Sequence, residues 1–219
     1  MKNKAILSLS GGLDSTTLLY HVVKDLNHDV IAVNFNYGQN NAKEIEFAKY
    51  HCDSLDVEYR QIDLTDYFKQ VNHSSSLLNG AMSVSKGDYS DNVPDTYVSH
   101  RNLLFTLIMA SIAEQEKASE LYLGIDKVDS FNGYWDTSSE FVKRVQAVLD
   151  LNPSNSLKLV TPFVEMLKPD EIKIGMRLGL DYSKTMTCYR GTNCGDCASC
   201  NERISAFESL GLKDSINYG

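Results

Sequence analysis

Ser10-Gly11-Gly12-Leu13-Asp14-Ser15, followed by Thr16 and Thr17, is the stretch on which the fold turns. It lies between a short apolar run at 5–9, read as a buried strand, and a helix pattern from Ser15 with Leu18, Leu19, Val22, Val23 and Leu26 on one face. The two glycines let the backbone approach a bulky anion and adopt positive φ. A helix start offers free N–H groups and the positive end of its dipole. Ser10, Ser15 and Thr16 add hydroxyl donors, so the stretch could hold a pyrophosphate group. The plainer reading is a strand-to-helix turn with Asp14 or Ser15 as N-cap. No Gly-Lys-Ser/Thr occurs in the chain and the third glycine of a dinucleotide fingerprint is missing, so neither of those phosphate loops is present.

Working outward, 30–35 reads as a second strand, 41–55 as a helix with Ile45, Ala48, Cys52 and Leu55 on one side, and 57–62 as a third strand. Strands alternating with helices predict an α/β fold, a parallel Rossmann-like sheet flanked by helices. Weak periodicity over 66–99 predicts a long excursion past the sheet's edge. A helix is expected over 103–112, with Leu103, Leu104, Leu107, Ile108, Ser111 and Ile112 on one face. A strand at 120–125 leads into a loop at 126–136. Thr137-Ser138-Ser139-Glu140 then has capping-box spacing for a helix carrying Phe141, Val145 and Leu149. A late strand is expected at 157–161, and Pro169 and Gly179 bracket a last helix of this domain. The expected division is a nucleotide-binding domain at 1–186 and a small cysteine module at 187–219, with one short helix.

The 219 residues are 42% hydrophobic and 23% charged, which excludes a disordered chain. The formal charge of −8 argues against a long nucleic-acid footprint but leaves room for a local basic pocket. No apolar run approaches the ~20 residues of a membrane span. Lys2 and Lys4 precede a short apolar stretch that Gly11, Gly12 and Asp14 end too early for a secretory signal, so a cytoplasmic, reducing compartment is expected.

Cys188, Cys194, Cys197 and Cys200 are packed within thirteen residues. In a reducing compartment this spacing points to metal rather than disulfides. Four thiolates suit a closed, structural zinc site, and an iron–sulfur cluster is the alternative. The lone Cys52 is expected in the core.

The phosphate loop resembles the PP-loop of the ATP pyrophosphatase superfamily. Together with Thr187-Cys188-Tyr189-Arg190-Gly191 and the cysteines that follow, it is similar to the 7-cyano-7-deazaguanine synthase (QueC) family over nearly the whole chain. Further matching segments are Asn36-Tyr37-Gly38-Gln39, Arg101-Asn102, Gly124-Ile125, Thr161-Pro162-Phe163 and Lys168-Pro169-x-Glu171-Ile172. The resemblance implies that ATP, with Mg²⁺, is held by Ser8, Leu9, Ser10, Gly11, Gly12, Leu13, Asp14, Ser15, Thr16, Thr17 and Leu18, with adenine near Asn36 and Tyr37. It implies catalytic roles for Asp14, Ser15, Arg101 and Lys168. Substrate contacts would come from Arg101, Asn102, Asp126, Tyr134 and Asp136, and structural Zn²⁺ would sit on the four cysteines. The implied reaction joins 7-carboxy-7-deazaguanine and ammonia to give 7-cyano-7-deazaguanine through an adenylated intermediate, in queuosine biosynthesis. A homodimer is compatible with it.

Two departures stand out. The family usually has Pro-Gly where Ser99-His100 precedes Arg101, and Ser-Gly-Tyr-Pro-Asp-Cys-Arg where this chain has Asn132 to Ser138, so the loop's arginine is missing. Alternatives follow: a relative that stops at 7-amido-7-deazaguanine or takes another carboxylate, and a non-catalytic nucleotide and zinc module. Single residues keep two readings each. His100 is an acid–base group or a solvated histidine, Trp135 stacks on a purine or packs its loop, and Tyr37 faces adenine or the core. Of Asp126 and Asp129, one would bind magnesium or a base amine and the other would face solvent.

Overall fold

In the computed structural model, which describes residues 2–71, 74–78, 84 and 94–219, β1 (Lys4–Ser8), β2 (Asp29–Asn36), β3 (Glu58–Asp63), β4 (Glu120–Tyr122) and β5 (Lys158–Val160) form one sheet. Every pairing is parallel and the order is β3-β2-β1-β4-β5. The chain therefore leaves β1 in one direction for β2 and returns on its other side for β4. In such sheets ligands bind where the order reverses, at the carboxyl ends of the strands.

Alternation along the strands sorts the core into two layers. Ile6, Ile31, Val33, Phe35 and Leu121 pack on one face with Phe105 and Met109 of α4 (Arg101–Glu116) and with Phe141, Val145 and Leu149 of α6 (Ser139–Leu149). Ala5, Leu7, Ala32 and Tyr122 pack on the other with Leu18 and Leu19 of α1 (Leu13–Tyr20) and Ala48 and Cys52 of α2 (Ala42–Leu55). Cys52 is fully buried, and burial pushes its thiol up to about 12, as expected of an inert core residue. Ile172 of α7 (Lys168–Arg177) and Ala206 and Phe207 of α8 (Ala198–Ser209) close a third cluster over Leu13 and Tyr20.

Several details differ from the sequence reading. Helix α1 starts at Leu13, two residues before Ser15, and runs into a turn of π-helix at His21–Asp25. The excursion expected over 66–99 begins with a helix, α3 (Thr65–Val71), whose Phe68 joins the core; 72–73, 79–83 and 85–93 lie outside the described residues. The loop expected at 126–136 holds a short helix, α5 (Lys127–Phe131), and a 3-10 turn at Trp135–Thr137 begins at its end. Helix α4 buries Phe105, Thr106, Met109 and Ala113, while Leu107 is 43% exposed and Ser111 faces out. Its apolar residues run all round, so periodicity could not choose the face. The cap of α6 is one residue later than expected: Ser138 Oγ accepts from Phe141 N at 3.1 Å, and Thr137 Oγ1 instead donates to Tyr134 O. Helix α7 starts at Lys168, one residue before the Pro169 expected to open it, and Gly179, at φ +77°, closes it.

Candidate active site

The phosphate loop joins β1 to α1 and is held shut by its own hydroxyls. Ser10 Oγ lies 2.9 Å from Ser15 Oγ and accepts from Gly12 N at 3.1 Å, while Ser15 Oγ accepts from Ser10 N at 3.2 Å. Gly12 caps α1 without a side chain, so the first amides of the helix stay available to an anion. Gly11, at φ +94°, serves a packing need: a Cβ there would lie 2.1 Å from the Glu44 carbonyl oxygen of α2. Gly124, just past β4, brings that strand end against Ser15, where a Cβ would lie 2.9 Å from its Cα.

The loop opens into a cleft of ≈1250 Å³, its mouth included, at the switch point between β1 and β4. Of the residues expected to hold ATP, Ser8, Leu9, Ser10, Gly12, Leu13, Asp14, Ser15 and Tyr37 line it. The other five do not. Gly11 packs on α2, and Thr16 and Leu18 are buried behind the loop. Thr17 Oγ1 donates to Leu13 O and meets Tyr182 Oη at 2.9 Å. Asn36 spends its amide on Asp63 and its oxygen on Gly38 N.

Arg101, Asn102 and Tyr134 also line the cleft. Arg101 donates to Tyr37 Oη at 3.2 Å, with its guanidinium 5.7 Å from that ring. Burial works against its charge, but Tyr37 and Asp136 outweigh it and hold Arg101 above its ordinary range. Asp136 stays outside the cleft: its carboxylate accepts from Asn102 N at 3.2 Å, capping α4 and fixing Arg101 and Asn102 at the helix mouth. Tyr134 shares a 2.5 Å hydrogen bond with Thr96. Trp135 packs against His100 and Phe141 and donates to Tyr97 Oη, so the loop-packing reading fits its surroundings. His100 sits in the left-handed region at φ +56°, ahead of α4.

Lys168 reaches the phosphate loop from α7. Its Nζ lies 2.6 Å from Asp14 Oδ1, 2.8 Å from Asp126 Oδ2 and 3.5 Å from Glu202 Oε1, with its side chain 4% exposed. Burial alone would lower its pKa, but Asp14, Asp126 and Glu202 outweigh this and hold it well above the usual lysine value. Asp126 is fully buried and caps α5 by accepting from Asp129 N at 2.9 Å. Asp129, expected to face solvent if Asp126 was the ligand, lines the cleft instead, and burial followed by Asp126 pushes it well above the carboxylate range.

Sequence reasoning missed Glu44, Glu171 and Glu202. Burial first, then Asp14, raises Glu171 far above its usual value, and both its oxygens lack hydrogen bonds. Burial pushes Glu202 up to about 7 against the opposing pull of Lys168, and Glu44 up to about 8 against Arg101. The available signal was a charged residue on the inward face of its helix: Glu171 follows Lys168 by three places on α7.

The four cysteine sulfurs lie within 4.8 Å of one another, three of the four residues being buried. Cys188 and Cys194 Sγ are 3.6 Å apart, close to the roughly 3.8 Å edge of a tetrahedron with 2.3 Å Zn–S bonds. The donor set therefore fits a metal. Met186 N donates to Gly11 O at 3.0 Å and Cys188 lines the cleft, so the cysteine module forms one wall of the site. Arg203 of α8, 1% exposed, ties the module down through Thr185, Thr187 and Asp214.

The family model described as "Queuosine biosynthesis protein QueC" matches residues 4–211. The 7-cyano-7-deazaguanine synthase of Caldicellulosiruptor saccharolyticus is 39% identical over 218 residues, 98% of this chain and 95% of the relative. Among solved structures, the NMN synthetase of Francisella tularensis is similar at a TM-score of 0.56 and 13% identity, over 98% of this chain and 79% of that one. The U34-tRNA thiolase NcsA of Methanococcus maripaludis with its [4Fe-4S] cluster is similar at 0.55 and 16% identity, over 95% and 67%. These two likenesses bear on the fold.

Proposed function

This chain belongs to the QueC family, and from that premise we propose that it converts 7-carboxy-7-deazaguanine and ammonia to 7-cyano-7-deazaguanine at the expense of ATP. The observation that carries the reading is the phosphate loop at the sheet's switch point, facing a buried lysine and an arginine across one cleft. The α1 amides and the Ser10 and Ser15 hydroxyls receive the β- and γ-phosphates, and Lys168 supplies positive charge there. The substrate carboxylate attacks the α-phosphorus, pyrophosphate leaves, and an acyl-adenylate forms. Ammonia displaces AMP to give the amide. A second activation, on the amide oxygen, ends in elimination to the nitrile. Orientation and charge neutralisation supply most of the acceleration.

Asp14, Asp126 and Glu171 offer oxygens within 4.8 Å of one another, and the Glu171 pair has no hydrogen bond. This hard-oxygen set suits Mg²⁺, which when bound neutralises phosphate charge. The four sulfurs suit Zn²⁺ as a structural ion in the module 187–219. We place the enzyme in the cytoplasm, acting on small molecules alone or as a homodimer; no helix among the described residues is long and apolar enough to cross a membrane.

Arg101 stands in for the arginine missing from the 132–138 loop and meets the substrate carboxylate. ATP–pyrophosphate exchange should therefore require the carboxylate substrate. Arg101→Ala should raise the substrate concentration for half-maximal exchange roughly 10–150-fold, the scale of a charge-assisted hydrogen bond, and move that for ATP far less. Exchange without the acid, or an equal shift for both ligands, would remove this role.

A further inference from the structure

We propose that Asn41 and Glu44, at the start of α2, bind the pyrimidinone edge of the substrate's guanine-like ring and set the enzyme's choice of base. The inference rests on the reaction assigned above and adds the ring contacts which that assignment leaves open. Both residues line the cleft. Asn41 is 4% exposed, and neither its Oδ1 nor its Nδ2 has a hydrogen bond of normal geometry, although its amide lies close enough to Glu44 to favour the ionised carboxylate. A buried amide without a well-formed hydrogen bond on either atom is costly, so such a group in a cleft wall points to a ligand.

Its position sharpens the point. Asn41 is the N-cap of α2, where an asparagine ordinarily turns its oxygen onto the helix amides. Here the side chain makes no capping bond. The amide lies instead beneath the turn of the cysteine module, where a Cβ on Gly191 would lie 3.5 Å from Asn41 Oδ1. One turn of helix later, the Glu44 carbonyl abuts Gly11 of the phosphate loop. The pair is thus fixed to the loop at which adenylation occurs, so a ring bound there is held in register with the reacting phosphate.

The two ligands of the reaction differ in what they ask of such a pair. The deazaguanine edge presents one acceptor, the ring carbonyl, and three N–H donors, from the ring amide and the exocyclic amine. A carboxylate accepts from two of those donors, and a carboxamide N–H answers the carbonyl. Such donors also hold a buried carboxyl in its ionised form. Adenine presents ring nitrogens that are acceptors, which a carboxylate opposes. Phe35, stacked on Phe105 at 3.9 Å with Tyr37 beside them, also lines the cleft and offers aromatic surface on which the adenine can stack.

The test compares wild type, Glu44→Gln and Asn41→Ala on 7-carboxy-7-deazaguanine and on its analogue lacking the exocyclic amine, with KM for each acid and for ATP. Wild type should prefer the amine-bearing acid by about 30-fold or more, the effect of leaving buried polar groups unpaired. Glu44→Gln should raise KM for that acid about 10–100-fold, reduce the preference to about threefold or less, and leave KM for ATP within about twofold. Asn41→Ala should weaken both acids alike and serves if the glutamate variant fails to fold. A Glu44→Gln enzyme that retains the preference, an Asn41→Ala enzyme with unchanged KM for both acids, or either variant raising KM for ATP instead, would overturn the inference. A wild type inert towards both acids would overturn the reaction itself, so the two failures are distinguishable.

Discussion

Lys168→Met should destabilise the protein by about 3–5 kcal/mol and reduce turnover by roughly a hundredfold or more. Its Nζ neutralises Asp14 and Asp126 at 2.6 and 2.8 Å with almost no access to water, and Glu202 is 3.5 Å away. Methionine fills much of the volume but leaves the fully buried Asp126 and the half-buried Asp14 and Glu202 without a counter-charge. A loss of that size lowers Tm by roughly 6–20 °C for a chain of this length. The sign of its pH dependence follows from linkage. Unpaired buried carboxylates bind protons more tightly folded than unfolded, so the variant's deficit grows as pH rises above the ordinary carboxylate range and shrinks as pH falls into it. Thermal melts of both proteins between mildly acid and neutral pH check this. A deficit independent of pH would mean that Lys168 contributes packing rather than charge.

The second large effect is expected at the metal. Cys197 is fully buried, and its sulfur lies in the four-sulfur cluster. Cys197→Ser should lose the ion and loosen 187–219, because structural zinc binding is itself folding free energy, about 10–16 kcal/mol in zinc-finger peptides. Activity should fall with it, since the segment carrying Met186 and Cys188 forms a wall of the cleft. Elemental analysis should give one zinc per wild-type chain and none in the variant, together with faster proteolysis of the tail. Iron with visible absorption in anaerobic protein would reassign the site to a cluster, and a metal-free variant of normal activity and protease resistance would make the site dispensable.

Periodicity and punctuation made the sheet legible. Val30, Ile31, Ala32 and Val33 are fully buried in β2, and Phe141, Val145 and Leu149 are the buried stripe of α6. The phosphate loop was legible because its glycines and hydroxyls occur together in sequence. Helix α4 was half legible, since a helix apolar all round has no sequence signature for its inner face. The rest of the site was hidden for a topological reason. Lys168 is 154 positions from Asp14 and Glu202 a further 34 beyond it, and only the crossover order of the sheet unites them. Asp136 illustrates the same limit: the substrate loop resembles a ligand site in sequence, yet this carboxylate caps α4. Asn41 was read only as the first residue of a helix, because an N-cap that does not cap is visible only in three dimensions.

The central claim is that one cleft activates a carboxylate by adenylation and carries it through to a nitrile. Mass spectrometry of the products from ¹⁸O-carboxylate-labelled 7-carboxy-7-deazaguanine, ATP and ammonium tests it most directly. Each activation transfers a carboxylate-derived oxygen to AMP, so the account predicts 7-cyano-7-deazaguanine without label and two labelled AMP for every nitrile formed. Amide that accumulates under excess ATP and ammonium and never converts, or AMP that carries no label, would contradict it.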